Sequence, residues 1–306
     1  LYEAMDDVYR DHFPHLRDFY SPGNCRFTIQ KSLNTFDKGG SMVNHTSQSK
    51  EVALSIQGLA KQFGGLSILS DVSFQVKAGE RRAIIGPNGA GKTTLFNMIA
   101  GDLEPTSGRI YFFGEEITHL PNFRRVRKGI VRTFQKNNLI AELSVLENLL
   151  LVLQRRHGLA NIWYRPRSPK HFGPLFERAE QLLYTWNLME QKDTLVKHLS
   201  YGEQRQVEIL LGIATEPKLL LLDEPTAGMS QAETNYITQM LKKLPATLTL
   251  LIIEHDMEVV FDLADHIMVL HNGGILAEGS PEAIRQNQEV YEVYFGREGE
   301  EVVASE

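Results

Sequence analysis

The stretch Gly86-Pro-Asn-Gly-Ala-Gly-Lys92-Thr93 fits the pattern G-x-x-x-x-G-K-[ST]. Glycines at these positions let successive backbone N–H groups turn inward around an anion. Lys92 adds a point charge for β- and γ-phosphate oxygens, and the Thr93 hydroxyl is a ligand for Mg2+. The apolar residues 83–85 read as a short strand ending at Gly86. Residues 92–100 carry Leu95, Met98 and Ile99 at helical spacing, so a helix opens at Lys92 with its positive end aimed at the same anion. A chance match to this pattern in a chain of ordinary glycine content is on the order of one in a hundred. The strand–loop–helix setting weakens coincidence further. The expected binding segment is Gly86, Pro87, Asn88, Gly89, Ala90, Gly91, Lys92, Thr93 and Thr94. It implies nucleotide binding and does not by itself imply a reaction.

A second stretch supplies the chemistry. Lys218-Leu-Leu-Leu-Leu222-Asp223-Glu224 is an all-apolar run ending in two carboxylates. Such a run suits a parallel strand covered on both faces, and ligands in parallel sheets sit beyond the carboxyl ends of the strands. There Asp223 can hold Mg2+ through its water shell, and Glu224 can polarise a water for in-line attack on a γ-phosphate. The bland alternative, two acids meeting solvent at a strand end, is about even for this motif alone and shrinks once a phosphate loop is present.

The rest of the chain alternates strands and helices. Residues 53–58 and 72–76 alternate apolar and polar side chains, and 248–253 reads as another buried strand. Residues 143–155, 176–186 and 204–214 read as helices, and 163–172 as a loop rich in Pro, Arg and aromatics. Leu270-His-Asn-Gly-Gly-Ile275 reads as a hairpin with an Asn-Gly turn, and Ser280-Pro-Glu opens a helix. This is an α/β pattern interrupted by a helical segment near 140–212. The first 48 or so residues lack a clean period. Met42 precedes the ordered pattern, so residues 1–41 are expected to be upstream sequence, with a true N-terminal extension as the alternative.

Composition narrows the class. A 306-residue chain with 42% hydrophobic and 23% charged residues has material for a sizeable core, and a net charge of −6 argues against a nucleic-acid partner. The single cysteine, Cys25, has no partner within the chain for a disulfide or a thiol cluster. No apolar run approaches the roughly 18 residues that cross a bilayer, so work at a membrane would require a partner to hold the chain there.

Taken together, the motifs between about Val52 and Gly296 resemble those of ABC-type ATPases. The resemblance implies a P-loop NTPase core with a small antiparallel β-subdomain and an inserted α-helical subdomain. The expected divisions are 1–48 as extension, 49–135 as β-subdomain and phosphate-loop half, 136–212 as helical subdomain, 213–297 as second core half, and 298–306 as tail. It implies ATP and Mg2+ as ligands and ATP hydrolysis as the reaction. Phe63, in Lys61-Gln-Phe-Gly, stands where an aromatic stacks on adenine; a core phenylalanine is the other reading. Gln135, in Arg132-Thr-Phe-Gln, stands where a glutamine ligates Mg2+ and senses the membrane partner. His255, after a buried strand, stands where a histidine hydrogen-bonds the γ-phosphate.

Leu199-Ser-Tyr-Gly-Glu-Gln204 resembles the signature segment, whose Ser200 and Gly202 would meet the ATP bound by a second subunit. Ser200-x-x-Glu203 is also a capping box. Tyr201 and Glu203 depart from the usual form, as does Ser230, where the family normally has Asp. Phosphate loop and signature are then two half-sites on one chain, which implies a head-to-tail dimer.

Leu199-Ser-Tyr-Gly-Glu-Gln, Ile253-Glu-His-Asp-Met, Phe112-Phe-Gly-Glu-Glu-Ile-Thr and the ending Val290-Tyr-Glu-Val-Tyr-Phe-Gly resemble ATPases of branched-chain amino-acid importers and the related urea and amide importers. This implies transmembrane permease subunits, a second ATPase subunit of the same or a paralogous chain, an indirect solute-binding protein, and a peripheral place on the cytoplasmic face of the membrane. A non-transport ABC ATPase of translation or DNA maintenance is the alternative. Against it stand the single phosphate loop and the absence of sustained heptads. The basic run Arg124-Arg-Val-Arg-Lys128 reads first as a solvated face, with a docking role for Arg124 and Arg125 as the second reading.

Overall fold

The computed structural model describes residues 51–133, 139–156 and 173–295. The expected N-terminal extension, Gln135, the 163–172 loop and the 298–306 tail lie outside them.

Two sheets organise these residues. The first is antiparallel, in the order β2-β1-β4-β5, from β1 (Val52–Phe63), β2 (Leu66–Lys77), β4 (Ser107–Phe112) and β5 (Glu115–Glu116). The second runs β10-β9-β3-β8-β7-β6. It comprises β3 (Arg81–Ile85), β6 (Ile130–Thr133), β7 (Leu219–Asp223), β8 (Thr249–Ile253), β9 (His266–His271) and β10 (Gly274–Gly279). All its neighbours are parallel except the β9–β10 edge. The hairpin at that edge turns on Asn272 and Gly273, both at positive φ (49° and 79°), as a two-residue Asn-Gly turn requires.

β7 explains why its sequence is apolar throughout. Successive side chains of a strand point to opposite faces. Leu220 and Leu222 join one core, Leu219 and Leu221 the other, and all four are fully buried. At roughly 1.5–3 kcal/mol per buried leucine, this strand anchors both layers. One core contains α3 (Val145–Arg156), α4 (Gly173–Thr185) and α5 (Tyr201–Ala214). The other contains α1 (Lys92–Ala100) and the inner face of the antiparallel sheet. The remaining helices are α2 (Asn122–Lys128), α6 (Gln231–Lys242), α7 (Met257–Leu263), α8 (Pro281–Arg285) and α9 (Gln288–Phe295). Among the described residues no helix is long and apolar enough to cross a membrane.

Helix α1 occupies the bounds expected from its spacing. Helix α5 starts three residues before the expected 204, because Ser200 caps it and Glu203 completes the capping box.

The basic run corrects the sequence expectation. It forms α2, but Arg125 is 1% exposed, so it is neither a solvated nor a docking residue. Its guanidinium donates to the carbonyls of Leu120 (2.7 Å), Met98 (2.6 Å), Ile99 (2.9 Å) and Thr118 (2.8 Å). Two of these belong to the last turn of α1, where carbonyls lack partners within the helix. Burial lowers the Arg125 pKa to about 10, which leaves it a cation at neutral pH.

Candidate functional site

The loop of residues 86–91 joins β3 to α1 and depends on backbone that only glycine supplies. Gly91, the residue before α1, has φ 101°, and a Cβ there would lie 2.5 Å from Leu69 Cδ2. At Gly86 a Cβ would lie 2.1 Å from the Leu270 carbonyl oxygen. Side chains are excluded at both points, so the loop is held against β2 and β9 in one shape. Gly86, Ala90 and Gly91 are buried, Pro87 is half-buried, and Asn88 and Gly89 are exposed.

Lys92 is buried at the start of α1, and its ammonium donates to the carbonyls of Gly86 (2.5 Å) and Pro87 (3.0 Å). Desolvation lowers its pKa, while the nearby Glu224 and Asp223 carboxylates pull it back up. A charge held this way is free to move to an anion that can compete for it. The Thr93 side chain is exposed and Thr94 is half-buried.

Asp223 ends β7 with no exposure. Its Oδ2 accepts from Arg132 Nη2 at 2.7 Å, and its Oδ1 is buried without a hydrogen-bond partner. Unpaired buried carboxylate oxygens are rare. Asp223 Oδ1 and the Thr93 hydroxyl are hard oxygen donors of the kind Mg2+ takes when phosphates and water complete its shell. The residues therefore fit the ion.

Glu224 follows at φ 47°, an unusual value for a non-glycine residue. Its Oε1 lies 2.7 Å from His255 Nε2. Two side chains that the sequence reading passed over hold this turn. Arg205, on α5, donates to the backbone carbonyls of Asp223 (2.6 Å), Glu224 (3.0 Å) and Pro225 (3.4 Å) and to Glu208 (2.8 Å). Glu254 accepts from the Thr226 N–H (2.9 Å) and hydroxyl (2.8 Å) through one oxygen, and from the His255 N–H (3.2 Å) through the other. Burial raises the Glu254 pKa against the pull of these hydrogen bonds. The sequence held a signal for both. Arg205 lies on the buried face of α5 with Gly202, Ile209 and Gly212, and Glu254 directly follows an apolar strand. A charge in such a place needs partners.

The structure thus brings Lys92, Asp223, Glu224 and His255 to one place. Phe63, at the end of β1, is 52% exposed with the Lys61 ammonium 5.0 Å from its ring centre, so it is not a core residue. The signature segment packs against α6. Ser200 donates its hydroxyl to Glu203 Oε2 at 2.8 Å, so the Glu203 carboxylate points back at its own cap. Gly202 closes on α6, where a Cβ would lie 2.2 Å from Glu233 Oε1. Ser230 caps α6 through a second capping box with Glu233, a role that an aspartate at this position would also fill.

Comparison with known proteins agrees with this geometry. The sequence profile described as "ABC transporter" matches residues 69–227. The High-affinity branched-chain amino acid transport ATP-binding protein BraF of Pseudomonas aeruginosa is 41% identical over 249 residues, covering 79% of this chain and 97% of that protein. LivG of Escherichia coli K12, of the same description, is 38% identical over 248 residues with the same coverage. Among solved structures, the ADP conformation of an ATP-binding cassette of an ABC transporter has a TM-score of 0.69 and 33% identity, covering 80% of this chain and 99% of that one. A dimeric cassette bound to ADP and Pi has a TM-score of 0.63 and 26% identity, covering 74% of this chain and 98% of that one. A profile match over more than half of the chain, and relatives aligned across nearly their whole length, make it a member of the ABC transporter family, an ATP-binding subunit that hydrolyses ATP.

Proposed function

We propose that this chain powers import of branched-chain amino acids, or a related small polar solute, as one ATPase of a head-to-tail dimer beneath transmembrane permease subunits on the cytoplasmic face of the membrane. The solute follows from the relatives, which are named for branched-chain amino acid transport. None of these relatives is named for translation or DNA maintenance, so nothing favours the non-transport alternative. The dimer is supported by a dimeric structural neighbour and by a signature segment whose Gly202 closes on α6.

The observation that carries the chemistry is the Glu224–His255 contact beside Asp223 and Lys92. ATP would stack its adenine on the exposed Phe63 and set its phosphates in the loop, where Lys92 exchanges two carbonyl contacts for phosphate oxygens. The Thr93 hydroxyl and Asp223, with Gln135, would hold Mg2+, which when bound neutralises charge on the β- and γ-phosphate oxygens. Glu224 takes a proton from the attacking water. The water oxygen bonds the γ-phosphorus as the bond to the β–γ bridging oxygen breaks, giving ADP and phosphate. His255 holds the γ-phosphate and orients Glu224 through their shared hydrogen bond. Ser200 and Gly202 would meet the ATP of the second subunit, for which the Ser200 hydroxyl must turn away from Glu203.

Glu224→Gln should retain ATP binding, lower kcat by roughly 100- to 10,000-fold, and accumulate a dimer on size exclusion with ATP. Hydrolysis close to that of the unaltered chain would remove Glu224 as the base. Lys92→Ala should weaken nucleotide affinity itself.

A further inference from the structure

Arg132 lies on β6 with its side chain 8% exposed, and its guanidinium reaches two other elements. One nitrogen, Nη2, donates to Asp223 Oδ2 at 2.7 Å. The other, Nη1, donates to Asn97 Oδ1 on α1 and stands 3.6 Å from Asp102 Oδ2. Asn97 is four residues after Thr93, so the two share one face of α1. The planar guanidinium therefore ties the face of α1 that carries Thr93 to the end of β7 that carries Asp223. Because Asp223 is engaged through Oδ2, its carboxylate cannot rotate freely, and Oδ1 is the oxygen left to present.

We infer that Arg132 is the positioning residue of the metal side of this site: it sets the separation of Thr93 and Asp223 and aims a single carboxylate oxygen at the cation. This rests on the reading of Thr93 and Asp223 as Mg2+ ligands. The planarity of arginine matters, because an ammonium is a point charge on a flexible stem and does not impose a fixed angle between two acceptors. Without Arg132, Asp223 is free to turn toward Lys92, the other cation whose field it shares.

The test is a titration of trinitrophenyl-ATP affinity against Mg2+, beginning in EDTA, on the full chain. Partners that orient metal ligands typically contribute 10- to 100-fold in metal affinity. Arg132→Gln should bind the nucleotide in EDTA within about twofold of the unaltered chain, yet need roughly tenfold more Mg2+ for half of the metal-dependent gain. Arg132→Lys should fall between them. Asn97→Ala, which removes one anchor from a half-buried position, should shift the Mg2+ midpoint by roughly threefold, below that range because the Asp223 contact remains. Asp223→Asn is the reference. If it leaves the Mg2+ titration unchanged, the reading of Asp223 as a ligand falls, and this inference with it. If Asp223→Asn shifts the titration while the Arg132 variants do not, the inference alone is overturned. Should Arg132→Gln fail to fold, unchanged midpoints in both Arg132→Lys and Asn97→Ala overturn it equally.

Discussion

Replacing Arg125 by methionine should cost about 3–5 kcal/mol of folding stability, the net of four lost charged hydrogen bonds and a relieved desolvation penalty. The guanidinium serves four carbonyl oxygens at 2.6–2.9 Å, and the Asp102 carboxylate adds a longer-range attraction. Hydrogen bonds from a charged donor contribute about 1.5–3 kcal/mol each, a gross loss of about 6–12 kcal/mol. Returning the guanidinium to water in the unfolded chain no longer opposes this, and that offset is several kcal/mol. Methionine fills most of the stem volume, so the cavity contribution is small. Arg125→Lys should cost about half as much, because the Met98 and Ile99 carbonyls share one donor atom, within an ammonium's reach, while those of Leu120 and Thr118 do not. Urea titration followed by the fluorescence of the buried Trp186 measures both. A methionine variant within about 1 kcal/mol of the unaltered chain would rule out these carbonyl contacts as a main support of the fold. It would mean that the last turn of α1 finds other donors. Charge reversal at Arg125 would report on folding rather than docking, so a docking test belongs at Arg124 and Arg127, which are exposed.

Substitutions at two further residues have expected outcomes. Ser230→Ala should lose about 1 kcal/mol of stability by removing the cap of α6, while Ser230→Asp stays within a few tenths, as urea titration would register. Glu254→Gln should lower kcat by roughly tenfold with ATP affinity unchanged, because the amide turns a donor toward either Thr226 or His255, both donors already. Because burial raises the folded pKa of Glu254 above 4.5, the native chain holds that proton more tightly than the unfolded one. Its stabilising contribution is full below 4.5 and declines as pH rises toward the folded value; the glutamine variant should flatten that decline in melting curves taken between these limits.

What the sequence made legible is local. The phosphate loop, the bounds of α1, the Asn-Gly hairpin and the capping box at Ser200 each depend on residues within a few positions of one another. The acidic end of β7 was readable because an all-apolar strand delivers the carboxylates that follow it, Asp223 and Glu224, to the edge of a parallel sheet where ligands sit. The arginines were not readable this way. Arg125 lies in a basic run that resembles a solvated face, and its burial is decided by α1, a separate element. Arg132 lies between the buried Val131 and Thr133 of β6, and its partners stand 35 and 91 positions away. Phe63 was ambiguous between core and platform until its exposure was known, since periodicity alone does not distinguish an apolar face that packs from one left open.

The three arginines share a logic that bears on how the site is held. Each belongs to a different element and reaches across to hold another in place: Arg125 the end of α1, Arg132 the face of α1 against Asp223, and Arg205 the turn at Glu224. The left-handed backbone of Glu224 costs about 1–2 kcal/mol, so it persists only where its surroundings impose it. Arg205 imposes it from α5, and Glu254 does so from the end of β8 through Thr226 and His255. Helix α5 also carries Ser200 and Gly202 at its first turn, and a helix shifts largely as a rigid rod. On the proposed function, a second subunit's ATP that displaces this N-terminus acts through Arg205 on the carbonyls of Asp223 and Glu224. Within one chain the buried Arg205 guanidinium therefore connects the half-site offered to the partner with the half-site that hydrolyses ATP.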